Sequence, residues 1–387
     1  MRIAVIGAGA AGLLFSLLIK RRFPAWEVET YEQNPEGATY GFGVVFSDGA
    51  LAFLERDEPE LLRTVEANME RWPMQRLVHR GERVDVDGNG FSAIGRLALQ
   101  KVLHGLNRRA GVDVRYGRAI SSLDEVAGAD LVVGADGSNS LVRNALAAQF
   151  APRVEVLTNR FAWYGTAQPF DCLTLTFRDG EHGAFVAHHY RHAPSMSTFV
   201  VECSEATWRK AGLDRMGDEA SRAYCERVFA PDLGGRALAS NKSVWRQFPL
   251  VRNERWIARP SSGGHAVLLG DALRTVHFSI GSGTRLAFED AIALERAFAE
   301  CGDDVPRALE SFERERRPIV EKLLAAANAS SYWYEQFSEK MALEPWQLAY
   351  DYMTRSGRMT EERLRAIAPK FMARVDAGRS GGPRPAC

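Results

Sequence analysis

An unbroken apolar run from Ile3 to Ile6 opens the chain, and a glycine-rich turn, an apolar-faced stretch from about Ala10 to Arg22 and a second short run from Val28 to Tyr31 follow it. Strand, helix and strand in that order are a βαβ start, which predicts a parallel sheet. A helical period over Ser92 to Asn107 puts Ile94, Leu97, Val102 and Leu106 on one side, and Leu131 to Val133 is another buried strand ahead of Gly134-Ala135-Asp136-Gly137. Between about 153 and 250 the texture changes. The runs Leu173 to Phe177, Ala184 to Tyr190 and Ser197 to Glu202 are aromatic and β-branched, with turns expected at Asp179-Gly180 and Ala193-Pro194, so a mostly antiparallel sheet is predicted. The strand Ala266 to Leu269 then returns to the first texture, ends in Gly270-Asp271 and leads to a helix beginning near Thr284. These patterns predict a discontinuous α/β domain over 1–152 and 251–303, an inserted β-sheet domain over 153–250, C-terminal helices over 304–376 and a flexible tail over 377–387.

The 387 residues, 46% of them hydrophobic, suffice for one large or two intimately packed domains. Lys+Arg and Asp+Glu each number 49, so no general field attracts nucleic acid or an anionic membrane. Cys172, Cys203, Cys225, Cys301 and Cys387 are widely spaced without a Cys-x-x-Cys pair, which argues against a disulfide framework and a structural zinc and fits a reducing cytoplasm. The immediate entry into a strand leaves no room for a signal peptide, and no apolar stretch approaches the roughly 20 residues that cross a bilayer. A soluble, cytoplasmic protein is expected, as monomer or homodimer, without nucleic-acid or membrane partners. The run Arg314-Glu315-Arg316-Arg317 is expected on a solvated helical face.

Gly7-Ala8-Gly9-Ala10-Ala11-Gly12 lies between strand and helix, where Gly7 permits the turn, Gly9 the approach of a pyrophosphate and Gly12 close helix–strand packing. The helix start supplies amide donors to the anion. Glu32, 20 residues beyond Gly12, ends the second strand, where a carboxylate can accept from both ribose hydroxyls and disfavours a 2′-phosphate. FAD or NAD is therefore indicated. A second glycine system, Gly270-Asp271 with Gly281-Ser282-Gly283-Thr284 opening a helix, offers a carboxylate and further amides, although a Gly-Asp pair is as readily an ordinary turn.

Gly7-x-Gly9-x-x-Gly12, Asp136-Gly137 within Val132 to Ser140, and Gly270-Asp271 together resemble the group A flavoprotein monooxygenases, in that family's order and across nearly the whole chain. A closer similarity, to the salicyloyl-CoA and anthraniloyl-CoA 5-hydroxylases and to the violacein-pathway hydroxylase, is carried by Gly41 to Ser47, Trp163 to Thr166, Met196 to Glu205 and His277 to Thr284. The resemblance implies the para-hydroxybenzoate hydroxylase fold: a Rossmann-like FAD-binding domain, an inserted substrate sheet and C-terminal helices. By the same resemblance the cofactor site comprises Gly7, Gly9, Ala10, Ala11 and Gly12, with Glu32 and Gln33 at the ribose. It further places Arg96 and Gln100 beside the pyrophosphate, Asp136 and Asp271 as supports, and the Gly281, Ser282, Gly283 and Thr284 amides at the flavin pyrimidine edge. Phe42, Val45, His188 and Phe278 are pocket candidates. His188 and His189 adjoin in a strand, so alternation sends them to opposite faces.

What the resemblance implies for chemistry is an FAD enzyme reduced by NADH or NADPH, in which O2 gives a flavin 4a-hydroperoxide whose distal oxygen passes to an activated aromatic ring. An aryl-CoA thioester is the expected substrate, a free indole derivative its competitor. A halogenase would be expected to carry Trp-x-Trp-x-Ile-Pro, where this chain has Val244-Trp245-Arg246-Gln247-Phe248-Pro249; a non-enzymatic FAD redox sensor is the reading from another class. No metal-ligand cluster, nucleophile elbow or catalytic acid or base is identifiable in the sequence.

Overall fold

The computed structural model describes residues 1–381. The apolar run at the start forms the strand Arg2–Ile6, flanked in parallel by Glu27–Glu32 and Leu131–Gly134; Asp113–Tyr116 and His265–Leu268 extend the sheet in parallel, and Ile257–Ala258 adds an antiparallel edge. Strands buried on both faces need no polar alternation, which is why their sequences read as continuous apolar runs. Helix Ala10–Arg22 covers one face and packs on helix Gly283–Cys301, which in turn packs on the 31-residue helix Val305–Glu335.

A second sheet has eight strands in the order Leu238–Ser240, Arg160–Thr166, Met196–Cys203, Gly183–Ala193, Leu173–Gly180, Glu70–His79, Glu82–Gly95 and Gly43–Ser47. Neighbours are antiparallel except Glu70–His79 with Leu173–Gly180, which run parallel. The strands Gly43–Ser47, Glu70–His79 and Glu82–Gly95 therefore belong to the larger sheet, although the expectation assigned all of 1–152 to the first domain, while the helices between them keep Leu54, Leu61 and Val65 in the first domain's core. These half-exposed strands carry scattered polar positions, and their central pairing partner lies about a hundred residues away, so no local period announces them. For the same reason the expected helix from Ser92 starts only at Arg96: Phe91–Gly95 is committed to pairing with Gly43–Ser47. The chain enters and leaves the insert through an antiparallel pair, Pro152–Val156 with Pro249–Asn253.

The C-terminal helices close one face of the larger sheet over Leu77, Val84 and Phe177, using Phe337, Tyr352 and Phe371, while Tyr164, Phe185, Phe199 and Phe229 pack beneath helices on its other face. The last helix, Pro369–Arg379, runs into the stretch expected as a flexible tail, since Phe371, Met372 and Val375 anchor it. The part of that expectation falling on 382–387 lies outside the described residues. Among the described residues no helix is long and apolar enough to cross a membrane.

Candidate active site

Gly7 has φ +103°, and a Cβ there would stand 2.4 Å from the carbonyl oxygen of Ala135, so glycine alone fits the turn. Gly12 interlocks with it: a Cβ on Gly12 would meet the Gly7 carbonyl oxygen at 2.0 Å. Gly9 differs, because a Cβ there meets nothing within 4 Å and would project into open space. That space lies over the start of helix Ala10–Arg22, whose first turn has no side-chain cap. Uncapped amides beside a vacant approach suit a phosphate.

The space belongs to a cavity of about 1050 Å³, lined by Gly7, Gly9, Ala10 and Ala11, then Glu32 and Gln33, then Arg96, Asp136 and Asp271, and finally Val45, His188, Phe278 and Gly281 to Thr284. Single small-molecule sites run to roughly 300–1000 Å³, so this one has room for a large ligand. The structure thus brings together most of the residues singled out in the sequence. Gly12 packs behind the wall, Gln100 lies one turn beyond Arg96 outside it, and the Phe42 ring lies against the backbone of Gly165 rather than in the wall.

Glu32 accepts from Ala8 N at 3.0 Å and from Asn34 N and Nδ2 at 2.9 and 2.7 Å, so Asn34, unnoticed in the sequence, aims the carboxylate. Asp136 accepts from Leu141 N at 2.6 Å through Oδ2, while its buried Oδ1 has no partner; burial pushes its carboxyl up. Asp271 is exposed to the cavity, with Arg274 and Arg96 nearby. The Arg96 guanidinium lies over the Trp163 ring, 5.6 Å from its centroid. Helix Gly283–Cys301 also begins at the cavity without a side-chain cap. Two uncapped helix starts, an open glycine and an orphaned buried carboxylate oxygen fit the phosphates and polar edges of FAD.

The Gly270-Asp271 turn is held by residues that the sequence did not flag. Asp290, 0% exposed, accepts from Gly270 N at 3.1 Å, from Arg274 at 2.8 Å and from Arg316 Nε at 3.0 Å, and Arg316 also reaches Glu289 at 2.7 Å. Arg316 is only 5% exposed, which corrects the solvated-face expectation: its helix turns this position towards Asp290.

Phe278 packs with Phe161 at 5.1 Å and edge-on to His188 at 5.4 Å, and His188 lies 5.0 Å from Tyr334. His188 does face the cavity, while His189 turns to the opposite side, against Phe170 and bonded to Thr176. Burial, reinforced by His277 and Arg355, holds the His188 imidazole neutral, and its Nε2 has no partner. Glu202 lies diagonally across the strand pair from His188, 1% exposed; it accepts from Asn159 at 2.9 Å through Oε1, its Oε2 is unpartnered, and burial pushes its carboxyl up to about 8. Nothing in the sequence distinguishes this acid from a surface one. Since its folded pKa is raised, the stability it permits is fully present below about pH 4.5 and is lost as pH rises through about 8. Glu202→Gln should accordingly gain stability relative to the parent as pH rises from about 5 to 8, read as the difference between their denaturant midpoints; a difference that does not change with pH would refute the assignment.

Residues 107–327 match the model of a family described as an FAD binding domain. The chain is 39% identical over 386 residues to salicyloyl-CoA 5-hydroxylase of a Streptomyces species, covering 97% of this chain and 73% of that protein. It is 36% identical to protodeoxyviolaceinate monooxygenase of Chromobacterium violaceum, covering 92% and 94%. Among solved structures, 2-methyl-3-hydroxypyridine-5-carboxylic acid oxygenase shares the fold with a TM-score of 0.68 at 18% identity, covering 95% of each chain.

Proposed function

Because the chain belongs to the FAD-dependent aromatic monooxygenases, we propose that it hydroxylates an electron-rich ring presented as an acyl thioester, such as salicyloyl-CoA or anthraniloyl-CoA. The observation that carries this reading is the continuity of the cavity: it runs from the glycine cradle past the aromatic chamber at Phe278 and His188 and on to Tyr352, Met353 and Arg358, leaving room for a handle beyond the ring. Bound FAD supplies the oxygen activation, with NADH or NADPH as reductant and O2 as co-substrate.

The protein's own part is to bind, orient and exclude water. Glu32 and the Gly9 turn hold the ribose and pyrophosphate; the start of helix Gly283–Cys301 presents amides to the flavin ring. Val45 and Phe278 wall the substrate ring and keep it dry, which strengthens every polar contact made to it. His188, neutral and with a free ring nitrogen, is the group that can accept or donate a hydrogen bond to a hydroxyl or amino substituent on that ring. Glu32→Ala should weaken FAD retention by about 1.5–3 kcal/mol, the scale of hydrogen bonds to a charged group; flavin fluorescence on dilution measures it, and unchanged retention would displace Glu32 from the ribose.

Incubating the yellow, FAD-loaded protein with NADH or NADPH, O2 and salicyloyl-CoA, anthraniloyl-CoA, their free acids or tryptophan-derived indoles, and weighing the products, tests the reading. A gain of one oxygen on the thioesters is expected. A second reading, a free indole derivative, is favoured by the 36% identity to protodeoxyviolaceinate monooxygenase; turnover of indoles with the thioesters untouched would replace the first reading by this one.

A further inference from the structure

We propose that Arg358 and Arg363 form a rim at the outer mouth of the cavity that reads the phosphate of a phosphopantetheine handle, whether that handle belongs to coenzyme A or to a carrier protein. The proposal rests on the thioester reading above and adds to it the site that recognises the handle. Both arginines line the cavity: Arg358 lies on the segment joining helix Pro345–Thr354 to helix Glu361–Ile367, and Arg363 lies in the first turn of the latter. The two helices pack on the hairpin Glu70–His79 and Glu82–Gly95 of the larger sheet, and Arg355 ties the segment between them to Ser279 and Ser330. The rim is thus built by elements packed on the larger sheet, whereas Gly7 and Glu32 belong to the smaller one.

What sets these two apart is the state of their charge. Arg285 is paired with Glu289, Arg118 with Glu125, Arg96 lies over Trp163, and Arg355 donates to Ser330 Oγ and to the Tyr352 and Ser279 carbonyls. Arg358 and Arg363 are exposed, and among the described residues only their backbone N–H groups are bonded, to Ser356 Oγ and Thr360 Oγ1; neither guanidinium has a carboxylate or ring partner. The adjacent carboxylate of Glu361 is turned to Arg365, Arg379 and Tyr350, and the exposed Glu362 beside Arg363 forms no ion pair with either arginine. In a chain whose 49 cationic and 49 acidic residues balance, two uncompensated guanidinium groups at one mouth form a local anion site. Their planar forks match phosphate oxygens.

The route between rim and ring is also built. Tyr334, against His188, lies 6.3 Å edge-on from Tyr352, and Arg355 covers the Tyr352 ring at 3.7 Å. Gln75 donates to the Tyr352 hydroxyl at 3.3 Å and accepts from Asn89 at 2.7 Å, so amide groups line the passage beside Met353 and Met359. A slender arm with two amides and apolar stretches suits such a wall, and its terminal phosphate meets the rim.

The test compares FAD-loaded parent with an Arg358→Ser/Arg363→Ser variant on salicyloyl-CoA, the salicyloyl thioester of a phosphopantetheinylated carrier protein, and the phosphate-free salicyloyl N-acetylcysteamine thioester. The parent's preference in kcat/KM for a phosphate-bearing thioester should fall about tenfold, chiefly through KM, the effect of losing one charge-assisted hydrogen bond. An Arg358→Lys/Arg363→Lys variant should keep much of the preference, because it keeps the charge. Loss confined to the CoA or to the carrier probe identifies the source of the handle. A preference unchanged within twofold for both probes overturns the rim while leaving the thioester reading intact. Should the parent hydroxylate no thioester, that reading fails on its own, and calorimetric titration with coenzyme A and with pantetheine decides the rim: tighter binding of coenzyme A that disappears in the serine variant supports it, and equal binding overturns it.

Discussion

Replacing Asp290 by alanine should lower the unfolding free energy by about 3–5 kcal/mol, because it strands Arg274 as a buried charge and leaves Arg316 with Glu289 alone. The loss should reach the cofactor site as well. Gly270 N donates to Asp290 and Arg274 donates to the Gly270 carbonyl, so the turn that presents Asp271 loses both of its braces. Urea unfolding of the apo protein and FAD titration of the folded fraction measure the two effects separately. A variant within about 1 kcal/mol of the parent would show that the pair is relaxed by solvent and contributes as little as a surface bridge.

Two glycines of one motif should fail in opposite ways. Gly9→Val should leave the apo fold intact, since Gly9 has extended backbone at φ −78° and its Cβ meets nothing within 4 Å, yet abolish measurable FAD binding by filling the pyrophosphate's approach. Gly12→Val should prevent folding altogether, because its Cβ would sit 2.0 Å from the Gly7 carbonyl oxygen, deep between helix and strand. Circular dichroism with flavin titration separates the two outcomes. Tight FAD binding by the Gly9 variant would move the pyrophosphate elsewhere in the cavity.

The same contrast explains what could be read from the sequence. Arg2–Ile6, Ala10–Arg22 and Glu27–Glu32 are neighbours in chain and in space, so local periodicity and the spacing from Gly12 to Glu32 disclosed them. The strands between residues 43 and 95 went unread because Glu70–His79 finds its parallel partner at Leu173–Gly180, a pairing without a local signature. Val45 and Phe278 lie in the segments that carry the family resemblance, His188 was singled out by strand alternation, and all three line the cavity. Asp290, Glu202 and Arg316 escaped for one physical reason: a charged residue in a sequence carries no mark of its burial, which depends on which side of a helix or strand the finished fold covers.

The strand His265–Leu268 has a further consequence for how the protein comes into being. It fills the place beside Leu131–Gly134, whose Leu131 and Val133 are wholly buried, but it leaves the ribosome about 130 residues later. At roughly 5–20 residues per second this amounts to about 7 to 26 seconds of synthesis. Throughout that interval the nascent chain exposes a flat apolar strand edge, the kind that recruits other chains. Fragments ending before residue 265 should therefore collect in the insoluble fraction, and production of the intact protein should respond to chaperones that shield strand edges.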